Sequence, residues 1–467
     1  MKDLMHFGGW LFIMLEIPLD RSSEVPLYRQ IALHLQRMIA SGSLPEGYKL
    51  PGTRQLATDL GVSRTTVNEA MILLEKEGYI TTVGKSGCYV CRNSSKPSDK
   101  NNPMTQRTIA DLSSGLPDES LLPVQFLCKP LRELSSIAGE NLLLPPPLAG
   151  LPELREALVK HAALRGIPAR PDEVLVTAGG LEALSLLMAA IKDSGARKIY
   201  VEELTYPLVL ELASKNNLEI CPMRLDDPVS SLKNASEGDA VYLIPSFHNP
   251  TGRTLSLEQR DSILKQARRT SLVIIEDDTY GELRYGKESV PALKAMEDTK
   301  NVAYLGSFSQ ALFPGFRISY LLLPKWLMDR CLVAKRIFYG SVSSLVQCLA
   351  LVFLNEGGLY EALDFVRNQI SLRMRLFCEQ LSRNIPIATF EMPLGGIYLW
   401  VRLPGIKGSQ AASKAEAQGI SIVPGRVFSV NSEDIEAVRL SVSALKPSDI
   451  SSVLSRLRRS WEHEFKP

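Results

Sequence analysis

The sequence predicts a chain in two folded parts. A small α+β unit of winged helix-turn-helix type comes first, then a large α/β unit with a smaller α+β domain at its C-terminal end. Three observations predict this. Residues 26–91 read helix, short helix, glycine-containing turn, helix, hairpin. Residues 92–108, RNSSKPSDKNNPMTQRT, have no apolar periodicity and are rich in Ser, Asn, Lys and Pro, the composition of a flexible linker. From residue 109 onward, short apolar segments alternate with amphipathic ones, the pattern of a mainly parallel sheet buried between helices. The expected divisions are therefore 24–91, 92–108 and 109–467.

Composition narrows the function classes. A chain of 467 residues with 45% hydrophobic and 22% charged residues is a soluble globular protein with room for a sizeable core. A formal net charge of +2 argues neither for nor against nucleic acid, because a neutral partner domain dilutes a small basic face. Seven cysteines without regular spacing point to reduced thiols and a cytoplasmic setting. Cys88 and Cys91 form the one close pair, in a β-rich run where residues three apart face opposite sides, so neither a metal site nor a redox motif is expected. The apolar run 7–15 is short, follows a single lysine and lacks a small-residue cleavage site. A strand is expected over 11–19, and the first dozen residues read as an extension from an upstream start. No run approaches the ~20 apolar residues of a membrane span.

In the first part, Leu27, Ile31, Leu35 and Met38 give helical spacing over 26–39, stopped by Gly42 and Pro45. A short helix over 53–60 ends at Gly61. Ser63 is placed to cap a third helix, which buries Val67, Ala70, Met71 and Leu74. Residues 79–91 alternate around a turn at 84–87 and predict a hairpin. The stretch 50–80, LPGTRQLATDLGVSRTTVNEAMILLEKEGYI, closely resembles the GntR-family DNA-binding domain. The resemblance implies duplex DNA as a partner, met by Arg54, Ser63, Arg64, Thr65 and Thr66, with Lys85 on the wing. The chemistry agrees, since arginine offers guanine a bidentate fork and threonine offers a hydroxyl and a methyl.

In the second part, strands are expected at 174–177, 198–201, 240–244, 272–276, 303–305 and 318–323. Helices are expected at 151–164, 180–191, 205–215 and 256–267 between most of them. Further helices over 326–355 and 358–383 precede strands over 389–402, 420–430 and 437–442. The strand ends of an open α/β sheet are where a phosphorylated ligand sits, and each end here carries something of note. Glycines open the helix after the first strand, Tyr206 follows the second, Asn249 lies in a turn after the third, and Asp277 and Tyr280 follow the fourth. Taken singly, these are also a turn, a core tyrosine and a helix cap.

The stretch 306–320, GSFSQALFPGFRISY, also reads as a surface loop by composition. It resembles the cofactor segment S-x-S-K-x-x-x-P-G-x-R of fold-type I pyridoxal-phosphate aminotransferases. Residues 109–460 resemble that family in order and spacing. The resemblance implies that backbone N–H groups near Gly180 and Leu181, with Ser307, Ser309 and Arg317, hold the cofactor phosphate. It implies that Tyr206 stacks on the ring, that Asn249 and Tyr280 bond the ring oxygen, and that Asp277 pairs with the ring nitrogen. Arg439 would clamp a carboxylate. Gly180 and Leu181 replace side-chain donors frequent in relatives, and 142–149 lacks a tyrosine that often reaches a neighbour's phosphate. The two halves together resemble MocR-type transcriptional regulators, which implies a homodimer.

Gln310 stands where the family has its Schiff-base lysine. A carboxamide can neither form that bond nor shuttle a proton, so no catalytic residue is expected. Three readings remain open. The chain is a regulator that holds pyridoxal phosphate or pyridoxamine phosphate noncovalently, as an amino-acid or vitamin-derived effector. Alternatively, it is a regulator whose second part is a bare dimerisation scaffold without cofactor, or it is a working aminotransferase that also binds DNA.

Overall fold

The computed structural model describes residues 17, 19, 26–40, 44, 48–76, 79–83, 87–90, 109–137, 142–224, 226–286, 290–298, 300–310, 312–356 and 358–462. Apart from Ile17 and Leu19, the expected strand over 11–19 lies outside them, as do the linker 92–108, Cys91 and Lys85. The chain divides into two compact units, 1–105 and 106–467.

The first unit holds three helices, α1 (Leu27–Ala40), α2 (Thr53–Asp59) and α3 (Arg64–Lys76), and a hairpin of β1 (Ile80–Val83) and β2 (Gly87–Val90). The strands pair antiparallel, Ile80 opposite Val90. Ile31 and Leu35 from α1, Leu56 from α2, and Val67, Ala70, Met71 and Leu74 from α3 are buried together. The Ser63 hydroxyl accepts the Thr66 N–H at 3.1 Å, so the expected cap is formed and a donor at the helix start is satisfied.

The second unit is built on seven strands: β4 (Val174–Thr177), β5 (Lys198–Glu202), β6 (Glu219–Met223), β7 (Ala240–Leu243), β8 (Val273–Asp277), β9 (Val302–Ser307) and β10 (Ser319–Leu322). A two-residue β3 (Ala110–Asp111) precedes them. The order across the sheet is β4-β10-β9-β8-β7-β5-β6. Only β10 runs against its neighbours; the other pairings are parallel. Alternation sends Tyr242 and Ile275 to one face, under Leu184 and Leu187 of helix Gly180–Asp193 and Leu327 of helix Lys325–Phe338. It sends Val241, Leu243 and Ile274 to the other, against Ile263 of helix Leu257–Thr270. Burial on both faces is why these strands read as continuous apolar runs. The edge strand β6 escaped the sequence reading: its sequence, EICPM, is half-exposed and interrupted by proline, which an edge tolerates.

The C-terminal domain is a sheet of β11 (Tyr398–Arg402), β13 (Val423–Pro424) and β14 (Ala437–Ser441), with β14 in the middle. Beside it, β12 (Ile420–Ser421) pairs with β3, tying the start of this unit to its end. The expected strand over 389–402 is shorter. Only 398–402 is extended, and Thr389 returns as a single bridge to Arg402 around glycines 395 and 396. Helices Gly408–Glu416 and Ile450–Trp461 went unread in sequence; the second buries Trp461 completely, and its indole N–H donates to the Ala411 carbonyl at 3.0 Å. No helix among the described residues is long and apolar enough to cross a membrane.

Candidate functional site

The parallel strands all end on one edge of the sheet, which gathers the side chains and free N–H groups at their carboxyl ends. At the end of β4, helix Gly180–Asp193 begins at Gly179 with no side-chain cap. Its first N–H groups are therefore open, and the helix dipole makes this end positive. Arg317, in left-handed backbone at φ 51°, lays its guanidinium over this turn. A Cβ on Gly179, itself at φ 95°, would fall 2.8 Å from an Arg317 nitrogen. Only glycine lets the two approach. The result is an anion cup: open backbone donors beside a cation that has no carboxylate partner among the described residues.

Ser307 and Ser309 border the cup; the Ser309 hydroxyl is fully engaged, whereas Ser307 only accepts and keeps its own O–H to donate. The Ser309 hydroxyl donates to the Ile318 carbonyl and accepts the Ile318 N–H, at 3.2 and 3.1 Å. Ser307 accepts from the Ser309 N–H and the Ser319 hydroxyl. These bonds brace the β9–β10 crossing and fix the start of Gln310. Leu181 contributes backbone only, since its side chain is exposed.

Asp277, at the end of β8, is buried. One oxygen accepts the Tyr242 hydroxyl at 2.8 Å; the other accepts the Thr279 N–H and hydroxyl at 3.0 and 2.5 Å. It makes no ion pair among the described residues. Burial therefore pushes its pKa up, and the bonds from Thr279 and Tyr242 offset part of that. Its neighbour Asp278 is also buried but pairs with Arg165 at 2.7 Å and accepts from Tyr304. Strand alternation gives the two acids different environments.

Tyr206 is half-buried just before helix Pro207–Lys215. Burial raises its pKa to about 12, with Asp277 and Tyr398 adding to the rise and Arg317 and Arg439 opposing it. The structure thus brings Tyr206 among the other predicted groups. Asn249 is buried, and its Oδ1 accepts from Arg439 at 3.0 Å. Arg439 also donates to the Ser113 carbonyl at 2.5 Å, and its guanidinium lies 4.1 Å from the Tyr398 ring centre and 4.9 Å from that of Phe428. Its Nε is buried without a hydrogen-bond partner among the described residues. Tyr280 donates to the Tyr398 hydroxyl at 3.3 Å.

Gln310 closes the ring. Its Oε1 is buried and unpartnered among the described residues. A Cβ on Gly115 would lie 2.8 Å from the Tyr398 hydroxyl and 3.6 Å from that oxygen, so both flank the same glycine. Tyr242, Thr279 and Tyr398 went unread in sequence. Tyr242 lay inside a strand read as core, where the one available clue was that a buried phenol needs a hydrogen-bond partner.

Apart from Lys85, the predicted DNA-contact residues of the first unit lie on α2 and at the start of α3. Arg54 is exposed on α2, and Ser63, Arg64 and Thr65 are exposed at the start of α3, with Thr66 half-buried behind them.

Residues 107–457 match the family "Aminotransferase class I and II". The chain belongs to that family. Its residues 27–90 match "Bacterial regulatory proteins, gntR family". The HTH-type transcriptional regulator YdcR of Escherichia coli is 30% identical, over 86% of this chain and 92% of the relative. The probable rhizopine catabolism regulatory protein MocR of Rhizobium meliloti is 26% identical over 95% of each. Among solved structures, the multiple substrate aminotransferase of Thermococcus profundus is 26% identical, with a TM-score of 0.71, over 78% of this chain and 93% of that one. This member of the class I and II family is thus a homologue of GntR/MocR-type HTH regulators, and its larger unit has the fold-type I aminotransferase architecture. That fold implies pyridoxal-phosphate binding in general.

Proposed function

We propose that the protein is a DNA-binding transcriptional regulator, active as a homodimer, whose larger unit senses a pyridoxal species noncovalently. The carrying observation is the buried, unpartnered Gln310 Oε1 inside an otherwise complete cup. When bound, the cofactor supplies an electron-withdrawing ring and an aldehyde or amine at its reactive carbon. The chain's own residues bind and orient it. The N–H groups at 180 and 181 and Arg317 take the phosphate, and Tyr206 covers the ring. Asp277 holds a proton on the ring nitrogen, and the Asn249 amide and Tyr280 face the ring oxygen. Ser309 serves chiefly by bracing the loop, and Ser307 has its own O–H left to donate to the phosphate. Arg439, freed from Asn249, takes the carboxylate of a joined amino acid. Gln310 offers no amine for a covalent bond, and its Oε1 accepts a hydrogen bond from pyridoxamine phosphate, not from the aldehyde. Titration calorimetry should show pyridoxamine phosphate binding the wild-type chain more tightly than pyridoxal phosphate, with no transamination. Silence from both ligands leaves a scaffold, and turnover makes it an enzyme.

The DNA reading rests on Arg64 and its neighbours, exposed at the start of α3. Arg64→Ala should cost ~1–3 kcal/mol of specific affinity in a gel-shift titration at matched salt. Equal affinity removes this docking.

Exposed apolar side chains support the dimer. Leu143, Ile337 and Phe338 are 87%, 68% and 69% exposed, and Ser341 donates to the Pro146 carbonyl, so 142–146 and 337–345 form one surface. Tyr339, within 337–345, donates to Ser185 on helix Gly180–Asp193, the helix whose start forms the cup. Sedimentation at micromolar concentration should give a dimer, and Phe338→Glu a monomer; a wild-type monomer sinks the assignment.

A further inference from the structure

Two cavities of the second unit lie outside the cup. One of about 730 Å³ is walled by the ends of β5 and β6 on one side and by Thr389, Phe390, Trp400 and Arg402 on the other. A second of about 620 Å³ continues past Trp400 toward Glu433 and Glu436. Glu203, Leu204, Thr389, Trp400 and Arg402 line both, so the two form one elongated groove.

At its base sits Glu202, 1% exposed. One carboxylate oxygen accepts the Ile244 N–H at 3.1 Å and lies 3.0 Å from His248 Nε2. The other, Oε1, is buried and has no hydrogen-bond partner among the described residues. A buried carboxylate oxygen without a donor is costly unless a donor arrives from outside. The rest of the lining fixes the charge of that donor. Arg224 and Asp226 neutralise each other at 2.6 Å. Five carboxylates, at 202, 203, 391, 433 and 436, then face two arginines, 253 and 402, and His248 beside Glu202. The Trp400 indole lies midway, a face on which a cation or a methylene chain packs well.

We propose that this groove binds a linear organic polycation of the diamine or polyamine class. One ammonium donates to Glu202 Oε1, the methylene chain lies along Trp400, and a second ammonium reaches Glu436 and its neighbours. A compact metal cation would need several converging oxygens at one point, whereas these carboxylates are strung along a channel. The groove is lined by none of the cup residues, so it stands or falls independently of the cup. It lies close to the cup all the same. His248 precedes Asn249, and Trp400 pairs with Arg439 across β11 and β14.

The test is calorimetry on the DNA-free full chain with spermidine and putrescine at ~0.15 M ionic strength. Saturable binding of one spermidine per chain is expected, tighter than putrescine and not displaced by magnesium at equal ionic strength. Glu202→Gln should weaken it at least tenfold, about the effect of losing one charged hydrogen bond. Glu436→Gln, on the exposed rim, should weaken it several-fold and decides the matter if Glu202→Gln proves unfolded by melting. Absence of saturable binding overturns the proposal. So does unchanged affinity in the folded variants, and so does full displacement by magnesium, which would mark diffuse acidic attraction.

Discussion

Gln310→Lys is expected to turn reversible cofactor retention into covalent retention. Borohydride treatment of the wild-type chain with pyridoxal phosphate should leave no reduced cofactor on the peptide 304–325, whereas Gln310→Lys should carry close to one per chain. The structural ground is the bracing of position 310. Ser309 is held to both main-chain groups of Ile318, so residue 310 always leaves the loop toward Gly115 and Tyr398. A lysine placed there meets a cup with its phosphate and ring partners already in position, and proximity does the rest. Among the described residues no other lysine is poised for the role: Lys335 is fully buried in an ion pair with Glu182, and Lys325 opens a helix beyond the far end of β10. Label on the wild-type peptide, or none on Gln310→Lys when pyridoxal phosphate binds it, would contradict this geometry. Reduced cofactor found on Lys335 would contradict it too.

The second large effect belongs to Asp277. Asp277→Asn keeps the shape and the hydrogen bonds' reach but removes the charge facing the ring nitrogen. Losing one member of a buried charged pair costs ~2–5 kcal/mol. The affinity for pyridoxamine phosphate, measured by calorimetry, should therefore fall on the order of thirty- to several-thousand-fold. Stability of the ligand-free protein should move the other way. Burial, the largest influence on Asp277, raises its pKa in the folded state above the usual carboxylate value. Between those two values the folded form holds more protons than the unfolded chain, so this group's contribution to stability declines as pH rises through the window. Its full cost is present at neutral pH, and Asn does not bear it. Ligand-free Asp277→Asn should thus melt no lower than wild type at pH 7, and its advantage should shrink toward acidic pH. A variant that loses stability and affinity together would show that Asp277 is a structural acid, held by Tyr242 and Thr279 for the fold alone.

The same comparison separates Asp277 from Asp278 and Glu276. Glu276 is buried, with its pKa pushed up to about 7 by burial and by Asp278, and it accepts the N–H groups of Leu293 and Lys294. It therefore anchors a helix start on the opposite face of the sheet, and ligand affinity should not depend on it. Three acids in a row look alike on paper, and the pleat assigns them different tasks.

The sequence by itself determined whatever depends on local periodicity and local chemistry. The cap at Ser63, the helix spacing of Val67, Ala70, Met71 and Leu74, and the apolar runs of β4, β7 and β8 are all set by residues within a turn or a strand of one another. Glycines at a helix start and an arginine after Pro314-Gly315 were legible as anion chemistry, as was the absence of an amine at 310. The edge strand β6 was not, because it carries a proline that only an edge tolerates, and of the strand expected over 420–430 only the two-residue β12 and β13 are extended before the chain turns at Gly425–Val427. Tertiary structure alone decided which acid lacks a cation, because Arg165 comes from a distant helix end and reaches Asp278 but not Asp277. It alone placed Tyr398 beside Gln310 and Tyr280, and it assigned the Ser309 hydroxyl to its own loop. It alone opened the groove under Trp400. The reason is common to all of these: partners far apart in the chain meet only after the sheet is ordered, and pairing, burial and vacancy of a polar group are properties of that meeting.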